Sequence, residues 1–431
     1  MKIATRRALL PLSALAFLLT SPAHGAGVVV VDPAGGPGGA ALLQAAINAA
    51  QSGDILLLRP GDYTSGPGTH PKLGNTSLTL IVDGPPGSVV LSGLEIIPVA
   101  GTHSVLVRGL HVAPAPGQGL PFAAVYANPP ATGQTWWFED CVFTGSLHPD
   151  LFSDNLAAQP GLFAGGGGTR LTVVRSTITG GDGQDEVAGM SPARPGAAGV
   201  QLGFLTAASV HECTIQGGAG GDGDPFVGGN PSLAGGGTGL YVAGGSASVL
   251  GGSAHGGDEG IGNPSQTMPG PGLQAAFATA DVRGADIQAG DVQGDGTPAE
   301  DISLGVAILT TFPAAPRSLS VPGPIRAGQS SALHVHGEPG DGVFVYMSTA
   351  SGGQLVTNAQ GNYVLGAPLP SPVFLGTIAD PSGDLAQPFV MPSLPAGFDG
   401  SVLFLQGIMA PAAGGLVVGS GSALVWIDGS F

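Results

Sequence analysis

Four segments of this chain repeat one pattern, a short apolar strand followed by a glycine-rich, acidic turn. They read RSTITGGDGQDE (175–186), ECTIQGGAGGDGD (212–224), GSAHGGDEG (252–260) and GADIQAGDVQGD (284–295). Aligned on Ile178, Ile215, Ala254 and Ile287, the units recur every 37, 39 and 33 residues. A strand and turn of this size cannot bury an apolar face alone, so the copies must stack on one another. The repeat therefore predicts a solenoid.

The first 25 residues have the features of an export signal. Lys2, Arg6 and Arg7 form a basic start, residues 8–20 are apolar, and residues 23–25 (AHG) resemble a small-x-small cleavage site. The paired arginines also fit a twin-arginine signal, so the export route stays open. No segment reaches the roughly 18 apolar residues of a membrane-spanning helix. We expect a secreted or cell-surface protein with no transmembrane segment.

The charge of the chain restricts its partners. Without the signal, nine basic residues face 29 acidic ones, which gives a net charge of −20. Such a surface repels nucleic acids and anionic membranes, so we expect no nucleic-acid partner. A polyanionic glycan would need a bridging cation for electrostatic capture. Solubility alone is the simpler interpretation, because only 10% of the residues are charged.

The start of the predicted mature chain has the pattern of a capped solenoid. In residues 40–51 (AALLQAAINAAQ), apolar side chains at 43, 46, 47 and 50 have the spacing of an amphipathic helix. A Ser-Gly stop, a buried strand at residues 54–58 (DILLL) and the turn RPGDY (59–63) follow. Residues 42–64 closely resemble the opening of secreted right-handed parallel β-helix proteins in the pectate-lyase-like superfamily. The resemblance implies the fold and no particular activity.

Further β-rich segments continue the series as far as residue 310. They are SLTLIVDG (77–84), SVVLSGLEI (88–96), SVLVRGLHV (104–112), TWWFEDCVF (135–143), LTVVRSTI (171–178) and ASVHECTI (208–215). Long Gly/Pro inserts separate the later ones, at residues 180–199, 217–238 and 256–272. Since the inserts recur at the same place in each unit, we expect them to stack into one lateral wall. Loops of this length are functional or disordered, and both alternatives stay open.

The composition changes after residue 310. Residues 311–315, in the segment TFPAAP, have the pattern of a linker. Short strands between Pro/Gly turns fill residues 316–431. This spacing predicts a β-sandwich. The segment resembles the C-terminal β-sandwich of exported bacterial repeat proteins, which implies an accessory module. The predicted fold is therefore all-β, a right-handed parallel β-helix over 28–310 with an N-terminal capping helix, then a β-sandwich.

The two cysteines occupy the same position of the repeated unit. Cys141 lies in DCVF and Cys213 in ECTI, and Phe143, Ile178 and Ile215 occupy successive coils. Two coils separate the cysteines, about 10 Å at the usual spacing between strands. This exceeds the ~7 Å limit for a disulfide. We expect two free thiols buried in the stack, although exported proteins often carry disulfides.

The acidic turns are candidate calcium ligands. Residues 180–187 (GGDGQDEV) match the calcium nonapeptide pattern, and residues 217–222 match its first six positions. Glycines permit tight turns, and carboxylates supply the oxygen ligands that calcium prefers. True arrays repeat every nine residues, whereas these copies are 37 apart. The candidates are Asp182, Asp185, Asp222, Asp224, Asp258 and Glu259; ordinary solvated turns are the competing interpretation.

No catalytic residue is assigned from the sequence. The resemblance to the pectate-lyase-like superfamily implies a basic residue that abstracts a proton beside a calcium-bridged uronate. This makes Arg108 and Arg175 weak candidates for a catalytic base. Arg108 precedes the glycine of its unit. Arg175 is predicted to occupy the equivalent position two coils later, and Glu212 the same position in the coil after that. An Arg–Glu ladder on a solvated face explains the pattern equally well. The polygalacturonase-like signatures of the fold are absent from the sequence.

Other chemistry-bearing residues have simpler explanations. His334 and His336 share one face of a strand and could bind zinc, but the sequence shows no third ligand. Trp136 and Trp137 place one indole inward and one outward, where it could stack on a sugar. Filling a core and its rim is the more common role of such a pair.

Together these features favour a non-catalytic extracellular module that binds carbohydrate, mediates adhesion or acts as a scaffold. The expected partner is a polysaccharide or the cell envelope. A divergent polysaccharide lyase or glycoside hydrolase of the same fold is the alternative, and a structural surface protein without a ligand is a third possibility. Calcium is the one cofactor that the sequence suggests.

Overall fold

The computed structural model describes most of the chain. The described residues are 26–33, 39–64, 70–74, 76–97, 101–114, 123–127, 133–146, 158–185, 193–203, 207–222, 234–261, 268–292, 299–312, 315–355, 362–366 and 372–431. The predicted signal peptide and Asp224 lie outside these ranges.

The first three quarters of the chain wind into a parallel β-helix with three ladders of strands. Ladder A contains Val28–Val31, Ile55–Leu58, Leu78–Val82, Ser104–Arg108, Thr135–Glu139, Arg170–Val174, Ala207–His211 and Ile308–Phe312. Ladder B contains Lys72–Leu73, Leu94–Ile96, Val125–Ala127, Leu162–Ala164, Val200–Leu202 and Ile302–Leu304. Two long strands, Leu240–Leu250 and Leu273–Arg283, run through both ladders.

Ladder C forms the third side. It contains Gly61–Asp62, Val89–Leu91, Leu110–Val112, Val142–Thr144, Thr177–Thr179, Thr214–Gln216, Ser253–His255 and Asp286–Gln288. In this ladder Ile178 pairs with Ile215, Ile215 with Ala254 and Ala254 with Ile287. The predicted repeat and its alignment are therefore confirmed residue by residue, as is the β-helix fold.

The interior of the β-helix is one continuous apolar core that a helix closes at its N-terminal end. The helix spans Gly39–Ala49 and buries Leu43 and Ile47, which confirms the predicted cap. The Tyr63 hydroxyl donates to the Val31 carbonyl at 2.8 Å and fixes the turn beneath the helix. Cys141 and Cys213 are unpaired and buried, two coils apart through Ser176, as the repeat predicts.

The glycine-rich inserts leave the β-helix between ladders C and B and stack into a wall of extended segments. We call these segments the glycine wall: residues 180–185, 217–222, 256–261 and 289–292 run outward, and residues 193–199, 234–239 and 268–272 return. Backbone hydrogen bonds join each outward segment to the next outward segment and to the returning ones. The wall predicted from the inserts is present throughout these residues.

The hydrogen bonds of the glycine wall repeat every three residues. The amides of Gly217 and Gly220 donate to the next coil, to His255 and Asp258, while Gly218 and Gly221 donate to the returning segment 193–199. A period of three residues without internal hydrogen bonds is that of the polyproline II helix. Glycine is needed because backbones touch: a Cβ on Gly218 would lie 2.0 Å from the Gly181 carbonyl oxygen.

The C-terminal region folds into two sheets that share a core. A three-stranded sheet contains Ser318–Ser320, Ser330–His336 and Asp384–Val390, and a five-stranded sheet contains Ile325–Arg326, Gly342–Ser348, Val373–Thr377, Gly400–Ala410 and Val417–Ile427. Ser351–Leu355 and Asn362–Leu365 form a hairpin. Side chains from both sheets, such as Leu319, Val335, Leu405 and Trp426, pack in one cluster. The region is a β-sandwich, as predicted.

The sandwich lies against ladder A of the β-helix. Outward-facing Ile55, Leu57, Leu106 and Trp137 pack with residues of the sandwich such as Val425. Ladder A is thus buried on both faces, which accounts for apolar runs such as ILLL (55–58) and WWF (136–138). Among the described residues, the sandwich covers only ladder A, which leaves ladders B and C, with the glycine wall between them, as the open sides of the β-helix.

The end of the β-helix differs from the sequence prediction. Thr311 and Phe312 belong to the strand Ile308–Phe312, whereas the sequence assigned them to the linker. They pair in register with Val282 and Arg283, so the last coil continues the repeat by two more residues. Among the described residues, no helix is long and apolar enough to cross a membrane.

Replacing Gly218 by Ala should destabilise the protein because the new methyl group would collide with backbone that cannot move aside. We expect a loss of about 1–3 kcal/mol in the free energy of unfolding, the usual cost of overpacking. Gly74→Ala is the matched control, since a Cβ there has no atom within 4 Å. Denaturant unfolding of both variants measures the difference, and equal stabilities would contradict the close packing of the wall.

Candidate functional site

A column of aromatic and amide side chains follows the open face of ladder B. Tyr126, Phe163, Gln201, Tyr241 and Gln274 occupy equivalent positions on successive coils, followed by Ser303. Their strand neighbours point into the core, so these central residues point outward. At about 4.8 Å per coil, the column is about 24 Å long. We call it the ladder B stripe.

The stripe is uncharged and partly preformed. The rings of Tyr126 and Phe163 are stacked, with centroids 5.2 Å apart and planes 13° from parallel. The Thr238 hydroxyl, from a returning segment of the glycine wall, donates to Oε1 of Gln274 at 3.1 Å. The wall therefore borders the stripe along one side. Half-buried side chains on a rigid sheet can bind a partner with little loss of conformational freedom.

A charged cluster closes the N-terminal end of the stripe. Glu95, one coil before Tyr126, lies 2.9 Å from Lys72 Nζ and 3.2 Å from His70 Nε2. Burial tends to raise the pKa of Glu95, but these two partners outweigh it and hold the pKa below its usual value. Lys72 therefore forms an ion pair with Glu95 beside the uncharged ladder B stripe.

Sequence interpretation missed the stripe because each coil contributes only a short segment to ladder B. The signal is present, since each coil places one large polar or aromatic residue between two apolar ones. The segments are VYA (125–127), LFA (162–164), VQL (200–202), LYV (240–242) and LQA (273–275). Only the register between coils shows that these residues align.

The candidate calcium ligands hold the glycine wall together. Asp182 accepts the Ala219 amide at 2.9 Å, and Asp185 accepts the Asp222 amide at 2.8 Å. Asp222 in turn accepts from Ile261 at 2.7 Å. Each of these aspartates bonds the backbone of the following coil, in a ladder that Asp258 continues by accepting from Asp291.

The remaining candidate ligands do not complete a metal site in the part of the chain that the structure describes. Glu259 is buried within the wall, and Asp224 lies outside the described residues. No group of three or more His, Cys, Asp or Glu among the described residues is arranged to hold a metal ion. Calcium binding by these turns therefore stays a prediction.

The two candidate catalytic arginines lie at the contact between the β-helix and the sandwich. Arg108 donates to the carbonyls of Val321 and Ala423, both at 2.6 Å, and to Asp140 at 3.0 Å. Arg175 donates to Asp140 at 3.0 Å and to the Leu319 carbonyl at 3.3 Å. Their guanidinium groups therefore bind the sandwich backbone directly.

Glu139 is the centre of this contact and is fully buried. It pairs with Arg175 and accepts hydrogen bonds from the Ser422 hydroxyl at 2.6 Å, the Ala423 amide at 2.7 Å and the Trp137 indole at 2.8 Å. A buried carboxylate is tolerated when its charge and lone pairs are all satisfied. We call Arg108, Glu139, Asp140, Arg175 and Glu212 the docking network.

Three members of the docking network occupy an unusual backbone position. Asp140, Arg175 and Glu212 have φ values of 54°, 47° and 55°, in the left-handed region that favours glycine. The equivalent corner of other coils carries Gly109 and Gly251. Arg175 and Glu212 contact the sandwich at Leu319 and Ser420, and Asp140 binds both arginines, so backbone strain is retained where these side chains are needed.

The register corrects the predicted equivalence of the two arginines. Arg108 pairs with Glu139, Glu139 with Val174 and Val174 with His211. Arg175 lies one residue further on, in the column of Asp140 and Glu212. The prediction that Arg108 and Arg175 are equivalent is therefore wrong by one residue, although their side chains converge on Asp140.

Burial shifts the pKa values around the docking network. Burial would lower the pKa of Arg175, but Glu139, Asp140 and Glu212 outweigh it and raise that pKa. Burial raises the pKa of Glu212, and the Ser420 hydrogen bond and the Arg175 charge offset this only partly. Burial, then the charge of Arg175, lowers the pKa of His211 to about 4.

The histidine pair and the tryptophans occupy other positions. His334 and His336 line a shallow groove on the three-stranded sheet with Ser318, Ser320 and Asp384. Nδ1 of His336 lies 3.0 Å from the Asp384 carboxylate. Trp136 is in the core, and Trp137 is buried against Phe404 of the sandwich, so neither ring is available to a sugar.

No family model and no curated protein matches the chain. Among solved structures, pectate lyase Pel9A matches with a TM-score of 0.33 and 17% identity, over 67% of this chain and 78% of the lyase chain. The tailspike protein of an Acinetobacter phage matches with a TM-score of 0.29 and 11% identity, over 91% of this chain and 88% of its own. The fold is therefore assigned from the strand ladders themselves.

Replacing Arg175 by Ala should destabilise the protein because it leaves the buried Glu139 with one cation fewer. We expect a loss of about 3 kcal/mol, as for other broken buried ion pairs. Lys72→Ala is the control, since that side chain is half exposed and its ion pair contributes about 1 kcal/mol at most. Thermal and denaturant unfolding measure both, and a neutral Arg175→Ala would contradict the structural role of the network.

His211 should make the protein less stable in mild acid. Its pKa is about 4 in the folded protein and 6.5 ordinarily, so the unfolded chain binds the proton first as the pH falls. The contribution of neutral His211 is complete above pH 6.5 and is lost between about pH 6.5 and 4. Denaturant unfolding at several pH values should show a smaller loss in His211→Gln. The exposed His334→Gln should keep the wild-type slope; identical slopes in all three proteins would exclude this role.

Proposed function

We propose that this protein is an exported, non-catalytic module that binds an uncharged polysaccharide along the ladder B stripe. The observation that carries the proposal is the column of stacked rings and side-chain amides, in register on an open, rigid face. Aromatic faces pack against apolar faces of other molecules, and their polar tips form hydrogen bonds. Amides both donate and accept, as sugar hydroxyls require.

The shape of the stripe favours a polymer over a small molecule. Equivalent side chains recur once per coil along about 24 Å, so an extended chain could repeat the same contacts. The glycine wall borders the stripe, and the Thr238–Gln274 hydrogen bond joins the two surfaces. Together they form a long shelf rather than an enclosed pocket.

The charge of the protein supports a neutral ligand. The chain carries a net charge of −17, and the stripe itself contains no charged residue. An acidic polymer would be repelled unless cations bridged it to the protein. Secretion or attachment at the cell surface would bring the stripe to such a polymer, whether it is free or part of a cell envelope.

The positions of the arginines favour binding over catalysis. Arg108 and Arg175 bind carboxylates and carbonyls at the sandwich contact, on a different side of the β-helix from the stripe. A proton-abstracting arginine must reach its substrate with a free face. We therefore infer that both residues position the sandwich.

Replacing Phe163 by Ala tests the proposal because it removes one ring of the stacked pair. We expect retention on an insoluble or gel-embedded neutral polysaccharide to weaken about two- to twelvefold, since an aromatic contact contributes roughly 0.5–1.5 kcal/mol. Phe374→Ala is the matched control, because this phenylalanine is exposed on the sandwich and also packs against another ring. Affinity electrophoresis in a panel of neutral and acidic polymers, with and without calcium, measures retention.

The same samples distinguish the alternatives. Chain shortening or unsaturated products would make the protein an enzyme, and retention on acidic polymers only with calcium would move the site to the acidic turns. Equal retention of both variants would exclude the stripe. No retention on any polymer would favour a structural surface protein.

A further inference from the structure

The last coil of the β-helix, residues 302–312, ends without a cover among the residues that the structure describes. Its strands Ile302–Leu304 and Ile308–Phe312 pair with Leu273–Arg283 on one side and with no described strand on the other. The N-terminal end has the helix Gly39–Ala49 over its core. The two ends of the solenoid therefore differ.

The open end exposes apolar side chains as well as a strand edge. Val306 is 74% exposed, Ile308 66% and Leu304 45%. Leu309, which belongs to the interior, is only partly buried where the core ends. Exposed apolar edges are templates for pairing, and monomeric proteins usually protect them with lysines, prolines or bulges. The coil ISLGVAILTTF contains no charged residue and no proline.

We propose that the last coil is a docking surface for a second copy of this chain, paired antiparallel through Ile308–Phe312. The strand is self-complementary about Thr310. In that arrangement Ile308 lies opposite Phe312 of the second copy on the outer face, and Leu309 lies opposite Thr311 on the inner face. A cross-strand apolar pair such as Ile308 with Phe312 stabilises an antiparallel ladder.

Charge disfavours self-association through the acidic surfaces of the chain and permits it at this end. Two copies with a net charge of −17 each repel wherever acidic surfaces meet. The last coil offers a neutral contact, and a two-fold axis through it closes the assembly at two copies. A head-to-tail contact with the N-terminal end would instead produce open filaments, and the capping helix stands in its way.

Sedimentation velocity of the purified protein over a wide concentration range tests the proposal. We expect the mass of two chains for the wild type and one chain for Ile308→Lys, which places a charge on the edge. Val390→Lys, at a residue 51% exposed on a sandwich strand, is the matched control and should remain a dimer. A monomeric wild type, growth beyond two chains, or a dimer that survives Ile308→Lys would each overturn the proposal.

A cysteine at the centre of the strand provides a second test that does not rely on a destabilising charge. Residues directly opposite each other in an antiparallel pair are about 4.5–5.5 Å apart, within the range of a disulfide. Thr310→Cys should therefore cross-link two chains under mild oxidation. The native thiols do not interfere, because burial raises the pKa of Cys141 and Cys213 to about 12. Thr214→Cys, exposed on ladder C, should remain uncross-linked, and equal cross-linking of both would overturn the pairing.

Discussion

In-register hydrogen bonding between successive coils is the constraint on which the whole molecule depends. It aligns Ile178, Ile215 and Ala254 in the interior of the β-helix. Because side chains alternate between the two faces of a strand, it also aligns Tyr126 and Phe163 on the outer surface. A slip of one residue would exchange the two faces of every strand. The apolar core and the outer columns are therefore two consequences of one register, and neither could change without the other.

Close backbone contact explains the glycine wall better than the need for tight turns. The wall has no sheet and no helix, yet each of its segments is bonded to neighbours in a three-residue period. Side chains at the contact glycines would occupy the positions of carbonyl oxygens. Aspartates such as Asp182 and Asp185 then bond the next coil at the margins. Glycine and aspartate in this pattern build a rigid surface beside the ladder B stripe.

The docking network shows how a charged cluster can resemble an active site. Buried arginines and carboxylates with shifted pKa values are common in catalytic clefts, and they are equally common at structural contacts. Here the partners of the charged groups include the sandwich backbone. Arg108 and Glu139 bind the backbone of the sandwich, so their charges fix how the two parts of the protein meet. Such a contact contributes geometry as much as stability.

The sequence by itself determined the repeat, because apolar and glycine residues recur at a period that only stacking can satisfy. The inward column at Ile178 and Ile215, the capping helix and the separation of Cys141 from Cys213 all follow from that period. Glycine-rich inserts at one place in each unit likewise predicted a wall. These features are local or repeat along the chain, so one sequence contains them.

The tertiary structure alone decided which outer surface is covered and which is open. The motif GGxGxD does not show that the backbones around it are packed together, and only the neighbouring segments show that contact. Arg108 and Arg175 could face a substrate or another part of the chain, and their partners Ala423 and Leu319 lie 315 and 144 residues away. The stripe through Tyr126 and Tyr241 arises from short ladder B segments in distant units. Contacts between residues far apart in sequence leave no local pattern, so the site had to come from the fold.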